Sequence, residues 1–334
     1  MTGSRIRAAV AGANGYAGMT LVSILSRHPG VELVELTSRS FAGKPYQDVF
    51  PLLALQGEFS EEPEAREVDV VFACLPHNVC ASKAKGWLGE GARVIDMSAD
   101  FRLKDKDQYP RWYRQEHPAP ELLQKAVFGL PELHEAEIKD ADLIAVPGCY
   151  SSCAILALKP AAEAGLIKGG SVIVDAKSGV SGAGRSPSLG VHFGEVDESL
   201  GAYALNGHRH LPEMTQELGL GQVTFVPHLV PMVRGILATC YLDATASLQE
   251  LTEAYGEFYA GQPFTRLVKQ TPTTKLASHT NLCLINIAAQ NGKTIVTAAL
   301  DNLLKGASGQ GVECFNLAFG FERTTGLEVA PQWP

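Results

Sequence analysis

The chain has 334 residues, of which 46% are hydrophobic and 19% are charged, and its formal net charge is −8. This length exceeds the range over which one hydrophobic core keeps growing, so we expect two domains. The negative charge, with no cluster of Lys and Arg, argues against nucleic acid or a membrane surface as a partner.

Cellular location and redox state follow from simple patterns. No apolar run in the sequence approaches the ~18 residues of a membrane span, and Met1–Arg7 carries no signal core. The seven cysteines are an odd number without zinc-type spacing. We therefore expect a cytoplasmic protein with reduced thiols and no metal site.

The N-terminal segment predicts a dinucleotide-binding unit. An apolar strand over 6–11 leads into a glycine turn, and a helical segment continues to Arg27. Glycines at the first two positions of such a turn let the backbone approach a pyrophosphate, and the third lets helix and strand pack. The alternative is a purely structural turn. The residues assigned to the cofactor here are Gly12, Asn14, Gly15, Tyr16, Ala17 and Gly18.

The end of the second strand favours one nicotinamide cofactor over the other. The strand over 31–36 is followed by Ser38 and Arg39, where an NAD site usually carries a carboxylate. A hydroxyl and a guanidinium suit a 2′-phosphate, so we expect NADP. Arg39 is alternatively a solvated surface charge.

Cys149 lies at a strand-to-helix turn in the middle of the chain. An apolar run over 143–146 stops at Pro147-Gly148, and 151–165 has helical composition. The backbone N–H groups and the dipole at a helix N-terminus favour a thiolate, which is the form that cysteine enzymes use as nucleophile. The alternative is a small, buried and inert cysteine.

Downstream loops supply polar groups. Gly179–Arg185 follows a strand over 171–178 and is either a flexible cover over a small anion or an ordinary connection. His208-Arg209-His210 offers a general base and an anion clamp, with either histidine as the base. Arg234 lies between apolar residues and therefore needs an anionic partner.

The C-terminal half alternates strands and helices. Asn291-Gly292 predicts a hairpin between 282–289 and 294–300, and a helix is expected over 248–259. A final helix is predicted to open at Asp301 and to end near Phe319. The fold class is therefore α/β, a Rossmann-type doubly wound parallel sheet plus an α+β domain with a mixed sheet.

A nucleotide fold, a cysteine at a helix N-terminus and downstream His and Arg point to one chemistry. A thiolate that attacks an activated acyl group forms a thioester, and hydride delivery to that thioester produces an aldehyde.

Six motifs together resemble the N-acetyl-γ-glutamyl-phosphate reductase family, in the family's order and over essentially the whole chain. Two departures are Ser151-Ser152, where the family usually has Pro-Thr, and Asn14, where Ser is commoner. The motifs are Gly12-x-x-Gly-Tyr-Ala-Gly18, Val146-Pro-Gly-Cys-Tyr150, Ser178–Arg185, Gly207-His-Arg-His-x-Pro-Glu213, Pro227–Gly235 and Asp301-Asn-Leu-Leu-Lys-Gly306.

The resemblance implies NADPH-dependent reduction of an acyl phosphate through a Cys149 thioacyl intermediate, with His210 as base and His208 as its rival. It implies that Ser151, Arg185, Arg209 and Arg234 bind the substrate, and that Gly182 and Asn302 bind the cofactor. It also implies a homodimer or homotetramer. The cofactor domain would then comprise 1–148 and 302–334, and the catalytic domain 149–301.

Two other functions remain open at this stage. An aspartate-semialdehyde dehydrogenase shares the fold and the chemistry but differs around the cysteine and the histidine loop. A protein of another class, an NADP-binding sensor without catalysis, would keep the glycine turn and leave Cys149 with an ordinary thiol pKa.

Overall fold

The computed structural model describes residues 5–64 and 67–328, and these form two compact units. The first unit contains 5–64, 67–147 and 307–328, and the second contains 148–306. Among the described residues, no helix is both long and apolar enough to cross a membrane.

The first unit contains a parallel sheet with the strand order β2-β1-β3-β4-β6-β5. The chain places β2 on one side of β1 and β3 on the other, which creates a topological switch point beside β1. Ligands of open α/β sheets bind at such a point, outside the carboxyl ends of the strands. The strands are β1 (Ile6–Ala11), β2 (Val31–Leu36), β3 (Val70–Ala73), β4 (Arg93–Asp96), β5 (Val127–Phe128) and β6 (Leu143–Ala145).

The helices of the first unit pack on this sheet, and the helix that ends the described chain belongs to it. That last helix, α10, packs against α1, α4 and β4. The helices are α1 (Tyr16–Leu25), α2 (Val79–Gly89), α3 (Gln108–Tyr113), α4 (Pro131–Asp140) and α10 (Gly309–Ala318). The predicted Rossmann-type class is confirmed.

The second unit contains a mixed sheet with the order β11-β12-β13-β10-β7-β9-β8. The predicted hairpin is confirmed: Asn291 and Gly292 have φ values of 48° and 77°, the left-handed pair that a tight two-residue turn requires. The strands are β7 (Ile167–Ser178), β8 (Gly201–Ala202), β9 (Gln222–Leu229), β10 (Ile236–Ala244), β11 (Thr265–Leu267), β12 (Cys283–Gln290) and β13 (Lys293–Leu300).

Helix α5 is the central helix of the second unit. Its residues 150–158 are all buried, because the sequence is apolar or small on every face and the helix packs against β10, β13 and two other helices. The helices of this unit are α5 (Cys149–Glu163), α6 (Phe193–Val196), α7 (Leu211–Leu218), α8 (Leu248–Phe258) and α9 (Thr274–Ala277).

The predicted final helix is wrong at its start. Asp301 and Asn302 precede it, and 304–308 form a single π turn, in which the Gly306 N–H donates to the Asp301 carbonyl at 2.9 Å. The α-helix begins only at Gly309. The Asp301 carboxylate accepts from the N–H groups of Leu303 and Leu304. N–H groups at the start of a helix have no carbonyl partner within the helix, and here the Asp301 side chain supplies one.

Pro160 leaves an open acceptor inside α5, and a tyrosine fills it. Proline has no N–H, so it cannot bond the carbonyl four residues earlier. That carbonyl, of Leu156, accepts from the Tyr259 hydroxyl at 2.5 Å, and Ala157 accepts from Tyr255 at 2.6 Å. The Tyr259 hydroxyl, directly after the end of α8, therefore compensates for the proline in α5.

We expect Tyr259→Phe to lower the free energy of unfolding by about 1–3 kcal/mol, since it strands the buried Leu156 carbonyl without a donor. Urea denaturation followed by fluorescence measures this change. Tyr241→Phe, at an exposed position, is the matched control and should change stability by less than about 0.5 kcal/mol. Equal stability of Tyr259→Phe and the wild type would contradict this role.

Candidate active site

The glycine turn of the first unit is shaped by close backbone contact. Gly12 has φ +80°, and a Cβ there would lie 2.3 Å from the Cys74 carbonyl oxygen. A Cβ at Gly18 would lie 2.4 Å from the Gly12 oxygen. Both positions therefore exclude any side chain, and this cradle at the switch point fits a dinucleotide pyrophosphate.

The other residues of the turn form the start of α1. Gly15 is the N-cap residue, and Tyr16 begins the helix with 39% of its surface exposed. The Ala17 carbonyl accepts from the Ser308 hydroxyl at 2.8 Å, which ties the turn to the C-terminal segment of the same unit.

The end of β2 gathers hydroxyl groups around Asn14. The Asn14 side-chain amide donates to Ser40 Oγ at 3.0 Å, and Ser40 Oγ lies 3.4 Å from that of Ser38. Ser38 is buried, whereas the Arg39 side chain is 67% exposed and lies 3.7 Å from Glu62. Ser40 is a further candidate at this end of β2, and its hydrogen bond to Asn14 is visible only in the tertiary structure.

The second unit contains a cavity of about 600 Å³. It brings together five predicted site residues from three parts of the chain, which is the geometry of a small-molecule site. They are Cys149, Gly182, His208, Arg209 and His210.

Cys149 is the first residue of α5, after the N-cap residue Gly148, and it is partly exposed. The described chain has no disulfide at any of its seven cysteines. Burial raises the pKa of Cys240 to about 12 and that of Cys153 well above its usual value, so these thiols stay protonated. Cys149 therefore differs from both in having access to the cavity.

His210 lies directly on the backbone that precedes Cys149. A Cβ on Gly148 would fall 2.3 Å from His210 Nε2 and 2.5 Å from Cδ2, so glycine is what allows the ring to lie there. The fully buried Glu213 carboxylate accepts from the Gly148 N–H at 2.8 Å. Gly148 and Glu213 are thus further candidate site residues, and only the tertiary structure brings them together.

His208 has a different environment. Its Nδ1 accepts from the His210 N–H at 3.1 Å, and its ring makes edge contacts with Tyr150, Tyr203 and Phe225. Burial, with a smaller effect of the Arg209 charge, lowers the pKa of His208 to about 4. His208 is therefore neutral near pH 7 and holds the backbone of His210.

The glycine loop after β7 is held by backbone bonds. The N–H groups of Gly179, Val180 and Ser181 donate to carbonyls of the 232–235 segment, and the loop forms a short 3₁₀ turn. Asn302 joins the two segments, since it accepts from the Gly235 N–H at 2.8 Å and donates to Ser181 Oγ at 2.9 Å. Asn302 therefore shapes the loop in which Gly182 lines the cavity.

Four predicted residues of the second unit, all described, lie outside the set that lines the cavity: Ser151, Arg185, Arg234 and Asn302. Ser151 is fully buried, and its hydroxyl lies 3.4 Å from the His210 carbonyl. Arg185 is exposed. Arg234 lies 3.3 Å from the buried Asp301 carboxylate, which confirms the predicted anionic partner as a protein group.

Among the described residues, no group of three or more His, Cys, Asp and Glu side chains is arranged to hold a metal ion.

Family models match both parts of the chain. The model described as "Semialdehyde dehydrogenase, NAD binding domain" matches residues 7–141, and the one described as "Semialdehyde dehydrogenase, dimerisation domain" matches residues 149–302.

Curated relatives match over nearly the full length. The N-acetyl-gamma-glutamyl-phosphate reductase of Pelotomaculum thermopropionicum is 47% identical, covering 98% of this chain and 99% of its own. The protein of that name from Ectopseudomonas mendocina is 44% identical, covering 98% of this chain and 100% of its own.

Solved structures show the same fold at low identity. Aspartate semialdehyde dehydrogenase II of Vibrio cholerae, complexed with ASA, has a TM-score of 0.73 at 17% identity, covering 95% of this chain and 99% of its own. Aspartate semialdehyde dehydrogenase with NADP from Candida albicans has a TM-score of 0.69 at 15% identity, covering 94% and 98%.

We expect the His208 ring to stay neutral through the neutral range and to take up a proton only near pH 4, because burial penalises its charged form. NMR titration of ¹⁵N-histidine-labelled protein measures this, with His208→Gln to assign the resonance. A His208 titration near the ordinary value of about 6.5 would contradict the structure.

Proposed function

Because this chain belongs to the N-acetyl-γ-glutamyl-phosphate reductase family, a branch of the semialdehyde dehydrogenases, we propose that it reduces N-acetyl-γ-glutamyl phosphate with NADPH. The products are N-acetylglutamate 5-semialdehyde and phosphate, a step of arginine biosynthesis. The family predicted from six motifs is confirmed. The observation that supports the mechanism best is that Cys149, Arg209 and His210 line one cavity at the N-terminus of α5.

The first unit supplies residues that suit NADP. The side-chain-free turn at Gly12 and Gly18 leaves room for the pyrophosphate, and Gly15 begins the helix whose N-terminus favours it. Ser38, Ser40 and Arg39 suit the 2′-phosphate. Bound NADPH supplies the hydride, which reduces the thioester carbon.

Cys149 is the proposed nucleophile. Its thiolate attacks the γ-acyl carbon, and the bond from that carbon to the phosphate oxygen breaks, so that phosphate leaves and a thioester forms on Sγ. After reduction of that thioester, the tetrahedral oxyanion collapses to the aldehyde and the carbon–sulfur bond breaks. Sγ is then a thiolate again, and the helix N-terminus stabilises its charge.

His210 is the proposed base, and His208 is proposed as a positioning residue. His210 lies against Gly148, the residue before the nucleophile, and so is placed to accept the Cys149 proton and keep Sγ ionised. His208 uses its Nδ1 on the His210 backbone and is neutral at working pH, so it orients its neighbour.

Arg209 is the proposed anion clamp in the cavity, because it is the exposed cation between the two histidines. Arg185 and Ser151 remain predictions for phosphate or carboxylate binding. Arg234 is paired with Asp301, so its proposed contribution to substrate binding competes with that ion pair. Gly182 and Asn302 remain predictions for the nicotinamide end of the cofactor.

The setting of the enzyme is proposed as well. We propose a cytoplasmic homo-oligomer, a dimer or a tetramer, since the second unit matches a model described as a dimerisation domain. We also propose that the first unit binds the cofactor and that the second carries the catalytic cysteine.

Two alternatives are separated by experiment. An enzyme specific for aspartate semialdehyde would turn over that compound and phosphate with NADP and leave the acetylated substrate untouched. A sensor without catalysis would turn over neither, and Cys149 would react with alkylating agents as an ordinary thiol with a pKa near about 8.5.

We expect the wild type to oxidise N-acetylglutamate semialdehyde in the presence of phosphate and NADP, measured as NADPH absorbance. Cys149→Ser should reduce turnover to background, because a hydroxyl without an adjacent strong base is a poor nucleophile. His210→Ala should lower kcat by roughly 10²- to 10⁴-fold, and His208→Ala by less.

Cys153→Ser is the matched control, since Cys153 lies one turn further along α5 and is fully buried outside the cavity. It should keep turnover within a few-fold of the wild type. A larger loss in His208→Ala than in His210→Ala would reverse the assignment of the base. Turnover of aspartate semialdehyde alone would refute the substrate.

We expect Arg39→Ala to raise the KM for NADP by about 10-fold and to leave the KM for NAD unchanged. The proposed partner of the guanidinium is the 2′-phosphate, which NADP carries and NAD lacks. Initial rates with each cofactor measure the two constants. Arg27→Ala, an exposed arginine at the other end of α1, is the control. An equal effect on both cofactors would show that Arg39 does not distinguish them.

A further inference from the structure

We propose that Gly148 and Gly306 are positioning residues that together set the distance between Cys149 and His210. The proposal depends on the proposed function only in naming the reaction that this distance serves. The backbone of Gly148 lies against the His210 ring, and the backbone of Gly306 lies against Cys149. Neither glycine has a positive φ. Their need for glycine is therefore one of space and not of backbone conformation.

Gly306 lies against the nucleophile. A Cβ added to Gly306 would fall 2.8 Å from Cys149 Cβ, closer than two such carbons approach in proteins. Cys149 Cβ is bonded directly to the helix backbone, so it cannot turn away as the end of a flexible side chain does. Any side chain at 306 must therefore displace the thiol or the turn.

The turn that carries Gly306 is firmly anchored. It is the π turn 304–308, and single π turns occur frequently at functional sites. The Asp301 carboxylate is fully buried, accepts from Leu303 N–H at 2.8 Å and from His279 N–H at 2.7 Å, and pairs with Arg234. Moving the turn would break several of these contacts, so the displacement falls on Cys149.

Gly148 fixes the other partner. A Cβ there would lie within 2.3 to 2.6 Å of three atoms of the His210 ring. Gly148 cannot retreat, because its N–H is bound to the buried carboxylate of Glu213 at 2.8 Å. An alanine at 148 must therefore push the imidazole away from the start of α5.

The two contacts act on the same pair of groups from opposite ends. Gly306 limits where Cys149 lies, and Gly148 limits where His210 lies. A displacement of about 1 Å between a nucleophile and its base costs on the order of 10²-fold in rate. Since either alanine separates the pair, the second one should cost little more than the first.

The first measurement is a double-mutant cycle on turnover with acetylglutamate semialdehyde, phosphate and NADP. We expect Gly148→Ala and Gly306→Ala each to lower kcat by about 10²-fold with the KM for NADP unchanged within about twofold. The double variant should lie within about fivefold of the slower single variant. A double-variant loss equal to the product of the two single losses would overturn the proposal.

The second measurement needs no substrate. The alkylation rate of Cys149 by iodoacetamide is followed from pH 5 to pH 10, with Cys149→Ser as blank. In the wild type we expect reactivity near neutrality, and in both alanine variants we expect it to shift toward the pH range of an ordinary thiol. An unchanged profile in either variant would overturn the proposal.

Controls separate positioning from folding and from function. Gly256→Ala, inside α8 with no atom within 4 Å of the added Cβ, should change neither turnover nor the alkylation profile.

If Gly306→Ala does not fold, Asp301→Asn loosens the same turn without added bulk, and an unchanged alkylation profile there overturns the proposal. Failure of the proposed function appears instead as a wild type without turnover, and the alkylation test stays valid.

Discussion

The burial of helix α5 on every side is the constraint on which the arrangement of the groups around Cys149 depends. Residues 150–158 are enclosed by the mixed sheet and by neighbouring helices, so the axis of the helix is held by core packing. Cys149 is the first residue of the helix and therefore needs no loop to present it. The hydrogen bond that Pro160 cannot donate to the Leu156 carbonyl is replaced by one from the Tyr259 hydroxyl.

The polar groups around this helix N-terminus are buried and hydrogen-bonded, and this makes the site rigid. Glu213 holds Gly148, Asp301 holds the π turn, and Asn302 joins two loops beside the cavity. A buried carboxylate or amide is costly unless it is satisfied, so each group strongly favours one arrangement of the backbone it binds. The side chains that face the cavity are thus supported by Glu213, Asp301 and Asn302, which lie outside the set of residues that line it.

Burial also divides residues of one type into different chemical roles. Cys149 reaches the cavity, whereas Cys153 lies one turn away in the same helix with its pKa raised by desolvation. His208 and His210 are two residues apart, yet one is kept neutral and accepts from the backbone of the other. Neither distinction is visible from residue type and spacing, because desolvation depends on what packs around each group.

The sequence by itself determined the parts that depend on local pattern: the glycine turn after β1, the hairpin at Asn291-Gly292, the placement of Cys149 at a helix start, and the family. These follow from short-range periodicity and turn chemistry. Only the tertiary structure decided that Arg234 pairs with Asp301, that a π turn precedes the last helix, and that Gly148 and Gly306 leave room for the His210 ring and for Cys149. Those contacts join residues far apart in the chain, and packing in three dimensions is what sets them.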